Sequence, residues 1–74
     1  MNYFELGEDA EYIELIKLLK VKNLASSGAE AKMMVSDHLV KVNGDIETRK
    51  RAKLREGDIV EIEGRAIQII KSKA

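Results

Sequence analysis

Three glycine-containing turns divide the second half of this 74-residue chain into short segments. Asn43-Gly44 is a strong signal for a two-residue hairpin, because both residue types accept a positive φ. Glu56-Gly57-Asp58 and Gly64-Arg65 mark two further turns. The intervening segments alternate or run apolar, which is typical of strands at 40–42, 59–63 and 66–70. This half of the chain therefore predicts a small antiparallel sheet.

The first half of the chain carries helical patterns. From Asp9 to about Val21, apolar residues that include Tyr12 recur at helical spacing, with acids near the start and lysines near the end. This pattern predicts a helix whose core stripe includes Tyr12. Ser27-Gly28-Ala29-Glu30 is a capping box, which predicts a second helix from Ser27 to about Asp37. The buried face of the second helix should hold Gly28, Ala31, Met34 and Val35.

Two helices followed by a small antiparallel sheet make an α+β fold, with residues 2–6 as a short edge strand. No proline, repeat or low-complexity segment indicates a linker, so we expect one domain over residues 1–74. The chain has no cysteine, which excludes disulfides and thiolate metal sites. No apolar run approaches the roughly 20 residues of a membrane span, and residues 1–7 show no secretory pattern. We expect a cytoplasmic monomer that makes no membrane contact.

The charge is unevenly distributed along the chain, although it sums to zero. Residues 1–16 hold five acids and no base, whereas residues 17–55 hold ten bases against four acids. Five of these cations lie within seven positions, at 49–55. Local charge sets the field near a surface, so the middle of the chain should attract a polyanion. A solvated, solubilising charge run is the alternative for such a cluster taken alone.

An ordered set of motifs resembles the RNA-binding domain named after a small-subunit ribosomal protein. The set is Ser27-x-x-x-Ala31-Lys32, Val40-x-Val42-Asn43-Gly44 and Gly57-Asp58-x-Val60, within a match over about residues 13–62. Together with Glu47-Thr48-Arg49-Lys50-Arg51-x-Lys53-Leu54, it is similar to the small stand-alone members of the YbcJ-like bacterial family.

That resemblance implies the alpha-L RNA-binding motif, in which two helices pack against the sheet and RNA lies across the helical face and the adjoining loop. It also implies a role in ribosome assembly, ribosome rescue or RNA metabolism. One position departs from the family pattern, because His38 stands where a glycine usually follows the second helix. That position tends to need a left-handed backbone, which histidine tolerates less well than glycine.

Phosphate contacts are expected from the basic middle of the chain. Arginine binds phosphate through a bidentate fork and lysine through a point charge, and the amides at the start of the second helix offer a further anion site. Neighbouring strand residues point to opposite faces, so Arg49, Lys50 and Arg51 can meet one partner together only from a loop or bulge. The candidate RNA-binding residues are Lys17, Lys20, Ser27, Lys32, Lys41, Arg49, Lys50, Arg51, Lys53 and Arg55.

The scarcity of aromatic residues indicates which kind of RNA would bind. Only Tyr3, Phe4 and Tyr12 are aromatic, and Tyr12 is expected in the core. Single strands are usually held by stacking on aromatic side chains, whereas helical RNA is read by shape, phosphates and 2′-hydroxyls. We therefore expect a structured RNA partner, ribosomal or transfer RNA.

No catalytic constellation is visible. His38 has no cysteine to activate, and its neighbours Ser36 and Asp37 are poor triad partners. No glycine-rich phosphate loop or metal-ligand spacing appears, so we expect no enzyme activity, cofactor, metal or small-molecule substrate. The alternative to RNA binding is a protein-interaction adaptor that uses the same fold through the acidic start of the chain.

Overall fold

The structure is a computed structural model, and it describes residues 2–72. Its elements, in chain order, are β1 (Asn2–Leu6), β2 (Ile13–Glu14), α1 (Leu15–Val21), α2 (Gly28–Ser36), β3 (Val40–Val42), β4 (Asp45–Ile46), β5 (Lys53–Leu54), β6 (Ile59–Ile62) and β7 (Arg65–Lys71). The α+β class predicted from the sequence is confirmed. The expectation that both helices come before the sheet is wrong, because two strands precede α1.

Five strands form the main sheet, in the order β1-β7-β6-β3-β4. The edge strand expected at residues 2–6 is present, but it runs parallel to β7, with Phe4 opposite Ile69. The other pairs in this sheet are antiparallel. A separate two-stranded sheet pairs β2 with β5, and it places Ile13 opposite Leu54. This small sheet ties the start of α1 to the basic part of the chain.

Two hairpins of the main sheet close through two-residue turns with positive φ at both positions. They are Asn43-Gly44, at 52° and 90°, and Glu63-Gly64, at 49° and 78°. Turns of this kind match the right-handed twist of the flanking strands. The Asn-Gly turn is confirmed. The last turn lies one residue earlier than predicted, because Arg65 already pairs with Ile62 as the first residue of β7.

One face of the main sheet carries the hydrophobic core, and the two helices contribute to the same cluster. Alternate residues along the strands point inward, as Val60 and Ile62 do in β6. The opposite face, called the outer face here, carries the exposed side chains of Lys41 and Glu61. The core consists of Leu6, Ile13, Leu15, Leu18, Leu19, Ala25, Ala31, Met34, Val35, Val40, Ala52, Leu54, Val60, Ile62, Ile67 and Ile69.

The first helix is shorter than the sequence predicts. It begins at Leu15 rather than Asp9, because the preceding residues are held extended as β2 against β5. The first two amides of α1 then donate to the carbonyl oxygens of Ala52 at 2.9 Å and Lys50 at 3.3 Å. Tertiary pairing overrides the helical periodicity here.

The shorter helix changes the place of Tyr12 and of the acids before it. The acids at 8–11 lie outside α1, which has no acidic residue in its first turn, so the predicted acids at the helix start are wrong, whereas Lys20 does lie in its last turn. Tyr12 was expected in the core, but 40% of its surface is exposed. An aromatic ring is therefore available at the surface just before α1.

The predicted second helix is confirmed, with Ser27 as its N-cap and Asp37 as its C-cap. The Ser27 hydroxyl accepts a hydrogen bond from the Glu30 amide at 3.2 Å. The Glu30 carboxylate accepts from the Ser26 amide at 2.7 Å, one residue before the amide that the capping box predicts. Three of the four expected core residues are buried, and Gly28 is half-buried.

One residue after its C-cap, each helix is followed by a residue other than glycine with a left-handed backbone, Asn23 at φ 58° and His38 at φ 61°. After α2, the His38 amide donates to the Val35 carbonyl and the Leu39 amide to the Met34 carbonyl, both at 3.1 Å. This is the hydrogen-bond pattern of a Schellman motif. The left-handed backbone predicted at His38 is confirmed.

Candidate nucleic-acid interface

The cations at 49–51 lie on a turn that packs against the start of α1. Arg49, Lys50 and Arg51, called the basic turn here, are exposed and belong to no helix or strand. The turn closes through a hydrogen bond of 3.2 Å from the Ala52 amide to the Arg49 carbonyl, and the Ala52 side chain is buried. The three cations therefore occupy a loop, as their presentation to one partner requires.

The basic turn is anchored to α1 through the main chain. The carbonyls of Lys50 and Ala52 accept the first two amides of the helix. These amides are consequently not free to bind an anion. The amide of Ile16 donates to the Lys50 carbonyl, so the first turn of α1 lies next to the basic turn. Lys17, the following residue, is exposed and adds a cation to this region.

One cation of the basic turn is already paired. Arg49 Nε lies 3.0 Å from Glu47 Oε2, and Arg49 Nη2 lies 3.1 Å from Glu47 Oε1. The Arg49 side chain is 79% exposed and that of Glu47 is 13% exposed. The hydrogen bond from Arg49 lowers the pKa of Glu47 below its usual value, against the opposing effect of burial. Glu47 is therefore ionised at neutral pH and competes with any phosphate for Arg49.

Tyr12 joins this surface, which the sequence did not reveal. The Lys53 Nζ lies 5.0 Å from the centre of the Tyr12 ring, and the Arg55 Cζ lies 5.8 Å from it. Both distances are within the range of a cation–π interaction. The register of β2 with β5 explains the contact, because its continuation sets Tyr12 opposite Arg55. The helical spacing of the surrounding apolar residues concealed this role.

Two residues of the recognised motifs hold the neighbouring turns together. The Asn43 side chain donates to Asp58 Oδ1 at 3.0 Å and accepts from the Ile59 amide at 2.9 Å. Asp58 Oδ2 also accepts from the Arg55 amide at 2.8 Å. Asn43 and Asp58 thus fix the main chain at Arg55, and their role in this structure is positional.

The other candidate residues lie on the two helices, at the start of α2 or on the outer face. Lys20 and Lys32 are exposed on α1 and α2. Ser27 caps α2, and the carboxylate of Glu30 lies at that helix start, where an external anion was expected. Lys41 lies on the outer face, opposite Glu61 in the neighbouring strand. The structure therefore groups Lys17 with the cations at 49–55, and it separates Lys41 from them.

A groove of about 590 Å³ runs beside this surface, between β1 and α1. It is largely apolar, with one acid and one base among its lining residues. The residues that line it are Phe4, Leu6, Gly7, Ala10, Tyr12, Ile13, Glu14, Lys17 and Val21.

The described residues, 2–72, offer neither a metal-binding cluster nor a membrane-spanning helix. Among residues 2–72, no group of three or more histidine, aspartate or glutamate side chains is placed to hold a metal ion. In that same part of the chain, no helix has both the length and the apolar character that crossing a membrane requires.

An exposed turn of cations, fixed by main-chain hydrogen bonds to a helix on one face of a sheet, defines a small domain suited to binding an anionic polymer. A family model described as the S4 domain matches residues 4–70. YbcJ from Escherichia coli (strain K12) is 40% identical over 70 residues, which cover 95% of this chain and 99% of YbcJ. The chain belongs to the S4 domain family.

Two further comparisons agree with this assignment. A Bacillus subtilis (strain 168) protein named "Probable ribosome maturation protein RlbA" is 45% identical over 56 residues, which cover 76% of this chain and 79% of RlbA. The solution structure of Escherichia coli YbcJ, described as revealing an alpha-L motif involved in RNA-binding, matches with a TM-score of 0.69 and 40% identity. That match covers 95% of this chain and 87% of the YbcJ chain. The resemblance to the YbcJ-like family is confirmed.

Proposed function

We propose that this protein binds structured RNA through phosphate contacts and catalyses no reaction. One observation carries the proposal. The five cations at 49–55 are all exposed, on a segment that is anchored to α1 and β2. Among residues 2–72, Arg49 alone of these five takes part in a salt bridge. The other four exposed cations remain available for phosphates. Because their main chain is already anchored, binding costs little entropy for ordering the backbone.

The residues divide by the geometry of the surface. The centre of the binding surface consists of Lys50, Arg51, Lys53 and Arg55. Arg49 contributes to it when its guanidinium leaves Glu47 and binds a phosphate. Lys17, Lys20 and Lys32 set the orientation of the RNA from the two helices. Ser27 contributes by starting α2. We assign no contact to Lys41, because it lies on the outer face.

The names of the relatives support the type of partner. The motif of YbcJ is described as involved in RNA-binding, and the name of RlbA refers to ribosome maturation. We therefore propose ribosomal RNA as the first target to test, in ribosome assembly, ribosome rescue or RNA metabolism. A structured region fits better than a long single strand, because the surface offers one aromatic ring rather than a row of them.

Titration against a ribosomal RNA hairpin and a DNA duplex of matched length tests the proposal. We expect tighter binding to the RNA, with an affinity that falls steeply between about 50 and about 200 mM salt as counterions are released. No binding to the hairpin or to total ribosomal RNA at low salt would overturn the proposal. A protein-interaction adaptor would then become the leading interpretation.

A pair of matched double variants tests which surface binds. Lys50→Gln with Arg51→Gln removes two charges from the basic turn. Lys41→Gln with Arg65→Gln also removes two charges, but from a different place. Both residues border a depression beside the Glu63-Gly64 turn. The first variant should bind more weakly and lower the slope of affinity against salt by about two. The second should bind as the parent does. Equal losses would show that total charge, and not this surface, determines binding.

A further inference from the structure

Tyr12 belongs both to the basic surface and to the groove between β1 and α1. Its ring is 40% exposed and lies near Lys53 and Arg55. It also forms part of the groove lining. The ring is held there by the chain before β2 and not by burial in the core. A ligand that reaches Lys53 and Arg55 therefore meets an exposed aromatic ring beside these two cations.

The groove has the size and polarity of a site for an aromatic group. Its walls are apolar side chains, including Phe4, Ile13 and Val21, with Tyr12 at its border with the cations. Its volume of about 590 Å³ falls within the roughly 300–1,000 Å³ of ordinary small-ligand sites. Every nucleobase has a π-face that can stack on such a ring, whatever its identity.

The surrounding charges would orient a nucleotide in one direction. Lys53 and Arg55 lie at the Tyr12 ring, whereas the groove itself is lined by one acid, Glu14, and one base, Lys17. Glu8 and Asp9 are exposed on the loop between Gly7 and Ala10, both of which line the groove. On the groove side the three acids outnumber Lys17, so a phosphate is repelled there and attracted to Lys53 and Arg55. The base would consequently enter the groove while its phosphate stays beside Lys53 and Arg55.

We propose that Tyr12 and this groove form a subsite for one unpaired nucleobase of the bound RNA, with its phosphate held by Lys53 and Arg55. The proposal rests on the proposed function, since the basic turn holds the paired part of the same RNA. The protein then recognises the place where a helix gives way to an unpaired nucleotide, and a uniform duplex leaves the groove empty.

Two RNA hairpins of identical stem, one blunt and one with a short run of unpaired adenosines at its 3′ end, test the subsite. The parent should bind the tailed hairpin more tightly than the blunt one. Tyr12→Ala should lower affinity for the tailed hairpin about tenfold more than for the blunt one, the loss of one stacked base. Tyr12→Phe should behave as the parent. Tyr3→Ala is the matched control, because Tyr3 is 54% exposed but alternates with Phe4 and points to the outer face.

The outcomes separate the subsite from the function on which it rests. Equal binding of both hairpins by the parent would overturn the subsite and leave the proposed function standing. Tyr12→Ala lowering both affinities equally, or neither, would also overturn the subsite. Failure of the parent to bind either hairpin at low salt would overturn both proposals.

Fluorescence gives a measurement that does not depend on the folding of an alanine variant. The chain has two tyrosines and no tryptophan, so Tyr12 is the sole tyrosine in Tyr3→Phe. Stacking of a base on its ring should quench that emission on addition of the tailed hairpin and leave it nearly unchanged with the blunt one. Emission that responds identically to the two hairpins would overturn the subsite.

Discussion

A histidine holds a left-handed backbone after α2, where φ is 61°. A side chain beyond glycine costs roughly 1–2 kcal/mol in this conformation, because Cβ approaches the following carbonyl. A glycine at position 38 avoids this cost. Part of the gain is lost, because glycine also has more conformational freedom in the unfolded state. His38→Gly should therefore raise the free energy of unfolding by about 1 kcal/mol, as urea denaturation would measure.

The matched control for this prediction is Asn23→Gly after α1, at φ 58°. Asparagine enters the left-handed region more readily than histidine, so the gain there should be smaller. A less stable His38→Gly protein would mean that the imidazole makes contacts worth more than the strain it causes.

Glu47 presents a second effect confined to one side chain, because it holds Arg49 through two hydrogen bonds. Glu47→Gln removes the competing charge and keeps an oxygen that can accept from the Arg49 amide. Exposed ion pairs contribute up to about 1 kcal/mol, so RNA affinity should rise roughly two- to fivefold. Titration with the ribosomal RNA hairpin measures this change, with Glu61→Gln on the outer face as its control. Equal affinity of Glu47→Gln and the parent would place Arg49 outside the interface.

Among the elements, the Asn43-Gly44 turn is joined to the turn before β6 by side-chain hydrogen bonds. Asn43→Gly keeps the positive φ and loses both bonds, to Asp58 and to the Ile59 amide. At about 0.5–1.5 kcal/mol each, the two bonds contribute about 1–3 kcal/mol. Glycine recovers part of this because it adopts the left-handed backbone without strain, so the variant should lose about 1–2 kcal/mol of stability. Asn43→Ala should lose more, since alanine also resists the left-handed backbone. A stability equal to the parent in thermal denaturation of Asn43→Gly would show that the two bonds contribute nothing.

The elements that the sequence predicted are those specified by neighbouring residues. The Asn43-Gly44 hairpin and the Ser27 cap each depend on a few adjacent side chains, and both are confirmed. The start of α1 was placed wrongly, because β2 has two residues and no periodicity of its own. Its partner β5 lies about forty positions along the chain. The parallel pairing of β1 with β7 joins the two ends of the described chain and is equally absent from any local pattern.

In the whole molecule, charge in the sequence suggests the candidate surface, and the topology shows where each of its side chains lies. The run at 49–55 is dense enough to stand out in the sequence. Strand pairing alone shows that Lys41 faces away from the core side of the sheet. Tyr12 enters the surface for the same reason, through the register of β2. Charge density thus identified the segment, while the choice of side chains and the groove beside them required the fold.

The acids near the groove should act on RNA over a distance. Glu8 and Asp9 are exposed on the loop after β1, and we propose no contact between them and RNA. Glu8→Gln with Asp9→Gln should raise RNA affinity about two- to threefold at an ionic strength near 0.01 M, where the Debye length is about 30 Å. The gain should vanish near 1 M salt, where that length is about 3 Å.

A comparison with Glu47→Gln separates a long-range field from direct competition. Glu47 lies in hydrogen-bond contact with Arg49, so its effect should decline with salt less steeply than that of the two loop acids. Titrations of both variants over the same salt series measure the difference. If the gain from the loop variant persists undiminished at high salt, the loop touches the RNA. The path of the bound RNA would then have to cross the acidic side of the groove.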